Sequence, residues 1–96
     1  MVNYSLSKIY KITSPNTDKC FINSTTKQYL SQRFTYYRDQ YKYYKVGKTD
    51  YKNKQILELF KLFDLYDINS FKIILIDAKE LKSHDELTAL LYKYIH

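Results

Sequence analysis

The sequence predicts an α+β domain: a small three-stranded, mostly antiparallel sheet flanked by three helices, in the order β-β-α-α-β-α. Three patterns carry that reading: a short hairpin near the N-terminus, three apolar stripes of helical period, and one late run of consecutive aliphatic residues. The 96 residues are enough for a single domain whose core stands without metal or disulfide. One Gly and one Pro, Gly47 and Pro15, leave regular elements joined by short polar turns.

The hairpin spans Lys8–Asn23. Its arms, Lys8–Thr13 and Lys19–Asn23, are β-branched or aromatic. Between them lies Ser14-Pro15-Asn16-Thr17-Asp18, where Pro presets φ and Asn and Asp bond their own backbone. A loop longer than two residues is expected there. Thr25 and Gln28 have the spacing of a capping box. Leu30, Phe34, Tyr37, Tyr41 and Tyr44 recur at steps of four and three, one face of a helix of about four turns. Arg33 lies beside that stripe, within reach of the hairpin. Gly47 suits the C-terminal cap and Asp50 the start of the next helix. Ile56, Leu59, Phe60 and Phe63 place a second helix over Lys52–Phe63. The connector Asp64–Ser70 leads to Phe71–Ile76, where four consecutive aliphatics read as a strand buried on both faces. Ser83 and Glu86 form a capping box, and Asp85 and Glu86 suit the positive end of a helix. Leu87, Leu90, Leu91 and Tyr94 continue that helix to about Ile95. The expected core contains Ile9, Ile22, Phe34, Leu59, Phe60, Ile74, Leu87 and Leu91.

The single cysteine, Cys20, excludes an internal disulfide and a cysteine-based zinc site, and in a strand it reads as a small buried hydrophobe. No apolar run approaches a membrane span, and Met1–Ser7 lacks a signal-peptide core. The expectation is an intracellular protein with no membrane partner. The formal charge of +6 and a pI near 9.3 favour polyanions, nucleic acid ahead of anionic lipid. The stretch Tyr41–Lys54 interleaves Lys42, Lys45, Lys48, Lys52 and Lys54 with Tyr41, Tyr43, Tyr44 and Tyr51. Lysines contact phosphates and tyrosines such as Tyr43 stack on bases. The same stretch also reads as a solvated helix end with Tyr41 and Tyr44 in the core.

This order of elements and these residues resemble the GIY-YIG nuclease family. Lys8-Ile9-Tyr10 and Phe21-Ile22-Asn23 stand where the family has its two named tripeptides. Ser24-Thr25-Thr26, Leu30-Ser31-Gln32-Arg33, Ile68–Ile73, Glu86-Leu87 and Tyr94-Ile95 extend the likeness over nearly the whole chain. The resemblance implies cleavage of DNA phosphodiesters with one divalent metal. A first tyrosine acts on the attacking water, a second supports it, a helix-one arginine stabilises the phosphate, and a glutamate on the last helix holds the metal. Such chemistry needs a metal to polarise the phosphoryl oxygen and a cation to offset developing charge.

Tyr10 and Arg33 match that set. Phe21 replaces the second tyrosine, Leu91 the metal-binding glutamate, Lys8 and Asn23 the two glycines, and Tyr37 a histidine common one turn after the arginine. Tyr10 reads either as a general base or as a buried strand tyrosine with a satisfied hydroxyl. Arg33 reads as a phosphate clamp or as a surface arginine packed along its helix. Asp85 and Glu86 fit capping better than metal ligation, and His84 and His96 lack a partner at metal spacing.

Three functions stay open at this point. The leading one is a degenerate domain that binds nucleic acid, DNA before RNA, without cutting it and without a cofactor. The second is an active endonuclease with an unusual magnesium or manganese site. The third is a former nuclease domain used for contact with a protein partner.

Overall fold

In the computed structural model the described residues are 2–47 and 54–95. They form β1 (Ser7–Ser14), β2 (Thr17–Thr25), α1 (Leu30–Lys45), α2 (Lys54–Tyr66), β3 (Lys72–Lys79) and α3 (His84–Ile95), with short 3-10 turns at Tyr4–Leu6 and Ile68–Ser70. The α+β class and the β-β-α-α-β-α order are those expected. The sheet is wholly antiparallel, in the order β2-β1-β3.

The central strand is β1, and it separates two apolar clusters. Successive strand side chains point to opposite faces. Tyr10 and Ile12 join Phe21, Tyr37, Leu59, Phe60, Phe63 and Phe71 beneath α1 and α2. Ile9 joins Leu87 and Leu90 of α3 on the other face. Burial on both faces therefore belongs to β1 and not, as expected, to β3. In β3, an edge strand, Ile74 and Leu75 are 40% and 50% exposed, so Ile74 leaves the expected core. A bulge explains part of this. Ile9 pairs with Asp77 and Tyr10 with Leu75, which leaves Ile76 unpaired and turned to the α3 cluster. Ile9, Leu59, Phe60 and Leu87 are buried, whereas Ile22, Phe34 and Leu91 are half-buried at the cluster margins.

The hairpin turn is tighter than expected. Ser14 pairs with Thr17, leaving only Pro15-Asn16, and the Asn16 N–H donates to Ser14 Oγ at 3.2 Å. Ser14 and Thr17, expected in the loop, close the ladder, and Asp18 lies with Lys19 and Cys20 of the expected second arm in a β2 bulge opposite Thr13 alone. Cys20 is exposed there rather than buried. Thr25 ends β2 and its Oγ1 accepts from the Lys27 N–H, so it does not cap α1. Tyr29 occupies the cap position, and Gln32 Oε1 accepts from its N–H at 3.1 Å.

Gly47 closes α1 with φ +71° and donates to the Tyr44 carbonyl at 3.1 Å, a conformation glycine adopts without penalty. Asp50 and Lys52, expected at the start of α2, lie outside the described residues. The helix runs past Phe63 to Tyr66, because Tyr66 still packs on the core. At the head of α3, Ser83 Oγ accepts from the Glu86 N–H. Among the described residues no helix is long and apolar enough to cross a membrane.

Candidate nucleic-acid interface

The tyrosine of the first strand and the arginine of the first helix meet. Tyr10 is fully buried, and its hydroxyl lies 2.7 Å from that of Tyr37, itself fully buried on α1. Arg33 stands one turn before Tyr37, half-buried, and its guanidinium bridges the pair. Nε donates to Tyr10 Oη at 3.3 Å and Nη2 to Tyr37 Oη at 3.2 Å. The Phe21 ring meets Tyr37 edge-on at 5.6 Å, an apolar contact. Lys8 sends Nζ to the carbonyls of Leu6 and Lys27, each at 2.8 Å. It thereby fastens the loop after β2 to β1. Asn23 Oδ1 accepts from the Ser24 N–H.

Burial and hydrogen bonding shift the titration of Tyr10 and Arg33. Burial pushes the Tyr10 hydroxyl far above its ordinary value, Tyr37 adds to this, and Arg33 only partly offsets it. Tyr10 is thus a neutral hydrogen-bonding group at physiological pH, unsuited to accepting a proton from water. Burial opposes the charge on Arg33, yet its tyrosine partners outweigh that and raise its pKa, so it stays a cation. Its hydrogen-bond partners are hydroxyls, while the one ion pair among the described residues joins Lys45 to Asp64.

That uncompensated cation opens onto a shallow pocket of about 250 Å³. Arg33, Lys27 and His84 line it with Ser24, Thr25 and Thr26, and Val2, Tyr4 and Leu87 complete the lining. Three nitrogen-bearing side chains and three hydroxyls form a donor set suited to a phosphate. Lys27 has no role in the sequence reading, and His84 enters it only as a residue without a partner at metal spacing. The hydroxyl run ending in a lysine was the available signal, but the approach of α3's first residue depends on the tertiary fold.

Leu91 lies elsewhere. It packs with Ile9, Leu87 and Leu90 on the α3 face, in the cluster across the sheet from the Tyr10 ring. Its side chain supplies no ligand atom, and it belongs to a different apolar cluster from Tyr10. Tyr10, Phe21, Arg33 and Tyr37 include no carboxylate, and among the described residues no three His, Cys, Asp or Glu side chains gather as a metal site. These side chains do not fit a magnesium or manganese ion, whose ligands are oxygens of carboxylates, carbonyls, water or phosphate.

The lysine–tyrosine stretch divides. Tyr41 packs on the core with its hydroxyl donating to Asp64, and Tyr44 packs beside it. Lys45 Nζ reaches Asp64 Oδ1 at 3.0 Å. The Tyr41 hydroxyl, aided by Lys45 and opposed by partial burial, holds the Asp64 carboxyl below its ordinary range. Lys42, Tyr43 and Lys54 are exposed, and Lys48 and Lys52 lie outside the described residues. At about 100° per residue, Lys42 sits roughly half a turn and Lys45 roughly a third of a turn round α1 from Arg33. The stretch is therefore not one continuous face. Comparison of the chain with protein-family models, curated proteins and solved structures finds no match.

Proposed function

We propose that this chain is a GIY-YIG-like domain that grips the sugar-phosphate backbone of nucleic acid, DNA in the first instance, without cutting it. The observation that carries the reading is Arg33. It is held by two buried tyrosine hydroxyls, left without a carboxylate, and open to a pocket shared with Lys27, His84 and three hydroxyl side chains. A fixed guanidinium beside hydroxyl donors suits a phosphate oxygen. The raised pKa of Tyr10 and the apolar side chains at Phe21 and Leu91 support binding rather than hydrolysis. Lys42 and Lys54, with Lys45 shared with Asp64, add positive charge near the far end of α1.

Fluorescence anisotropy of a labelled duplex across a salt series tests the reading. Three to five phosphate contacts predict a log–log slope of roughly −3 to −4.5, because each releases about 0.9 counterion. Unrelated sequences should bind alike, since phosphate contacts position without specifying. A protein that fails to bind at low salt would leave the +6 charge as a solubility feature and favour the protein-contact function.

A further inference from the structure

The solvent side of α1 carries a regular row of rings. Tyr29, Tyr36 and Tyr43 recur every seven residues and are 60%, 41% and 49% exposed. Seven residues advance a helix about 10.5 Å and return it to within about 20° of the same face. Tyr36 and Tyr43 thus stand about 10.5 Å apart on one face of α1, about a third of a turn from the buried stripe of Leu30, Phe34, Tyr37, Tyr41 and Tyr44, and Tyr29 precedes them at the extended N-cap. The core is already served by that stripe, and none of the three exposed rings belongs to either apolar cluster.

The row joins the phosphate pocket through one residue. The Arg33 guanidinium lies 4.7 Å from the Tyr36 ring centre, and Tyr36 meets Tyr37 edge-on at 5.5 Å. Tyr36 is therefore fixed from both sides while staying open to solvent. The surrounding charge selects the partner. α1 bears Arg33, Arg38, Lys42 and Lys45 against one carboxylate, Asp39, and Lys27 precedes it. A second copy of a +6 chain would be repelled, and a polyanion drawn in. Duplex DNA keeps its bases stacked inside, whereas a single strand can lay them on aromatic faces.

We propose that Tyr29, Tyr36 and Tyr43 form a stacking track for single-stranded nucleic acid, with Arg33 and Lys27 holding its phosphates. This rests on the phosphate-binding reading of the pocket and adds the strand form that the domain prefers. Tyr29 and Tyr43 are the informative positions, because neither touches the Arg33 cluster.

The test is anisotropy with a labelled oligothymidine of about 20 nucleotides and a mixed-sequence duplex of equal length, for the parent, Tyr29→Ala, Tyr43→Ala and the matching Phe variants. The parent should prefer the single strand. Each Ala variant should lose roughly tenfold on it, with little loss on duplex, since one stacked base is worth about 1–3 kcal/mol and every 1.4 kcal/mol is tenfold. The salt slope should stay unchanged and the Phe variants should bind like the parent. Equal losses on both strand forms, or none on the single strand, would overturn the track while leaving the phosphate reading in place. A parent that binds neither form would overturn both. Self-association of the parent, seen by sedimentation without nucleic acid and lost in the Ala variants, would make the row a protein contact and overturn the track as well.

Discussion

Tyr37→Ala should cost about 3–5 kcal/mol of folding stability, the range for removing a buried aromatic ring. Tyr37 is fully buried and stands at the junction of the sheet, α1 and the arginine. Its ring touches Phe21 and Tyr36 edge-on, and its hydroxyl serves Tyr10 and Arg33. Truncation leaves a cavity and removes a hydrogen-bond partner from each. For a domain of this size 1 kcal/mol is about 4–8 °C, so the melting transition should fall by some 15–30 °C or vanish. Tyr37→Phe keeps the ring and loses only the hydroxyl, which should cost about 1–3 kcal/mol. Thermal melts of the two variants separate ring from hydroxyl. A Tyr37→Ala protein that melts with the parent would mean that α1 does not pack on β1 through this residue.

Removing both cations of the pocket should have the largest effect on binding. If Arg33 and Lys27 each neutralise one phosphate, replacing both with Gln removes about 1.8 units from the log–log salt slope. At 0.1 M salt that amounts to roughly a sixtyfold loss on duplex, taking 1 M as the reference. Arg33→Lys should keep most of the slope but lose affinity, because an ammonium cannot donate to two hydroxyls and a phosphate in the same fixed plane. Lys42→Ala, half a turn away, should lower the slope independently, and its effect should add to that of the pocket pair. Anisotropy on the same duplex measures all of these. An unchanged slope in the Arg33→Gln, Lys27→Gln protein would mean that the pocket meets no phosphate.

Helical stripes were the most legible part of the sequence. Leu30 to Tyr44, Ile56 to Phe63 and Leu87 to Tyr94 each keep a 3.6-residue period that packing has no reason to alter. Strand position was less legible. The doubly buried strand is β1, disguised by Lys8 and Lys11, while the aliphatic run marks an edge strand. A lysine can bury its stem and still satisfy its ammonium, as Lys8 does on two carbonyls, so charge in a strand does not exclude burial. Bulges at Ile76 and opposite Thr13 depend on pairing partners far along the chain and leave no local signature.

The candidate site shows the same division. Arg33 lies beside the α1 stripe in sequence, and in the fold it reaches the hairpin as that position implies. The stripe of α3 was legible too, but not the sheet face it covers, and that face decides that Leu91 lies across the sheet from Tyr10. The exposed tyrosine row was hidden because Tyr43 reads naturally with its neighbouring lysines. Only the turn of the helix separates it from Lys45 and aligns it with Tyr36. Lys45 itself reads as a free cation until Asp64 arrives from α2.

Supercoiled plasmid incubated with manganese at a protein concentration that saturates binding by anisotropy tests the central claim most directly. The account predicts that the plasmid is fully bound and remains supercoiled, with the parent and equally with the Phe21→Tyr, Leu91→Glu double variant, since the new carboxylate would stand on the far face of the sheet. Metal-dependent nicking by the parent that disappears in both Tyr10→Phe and Arg33→Ala would contradict it and identify the cluster as a working nuclease site.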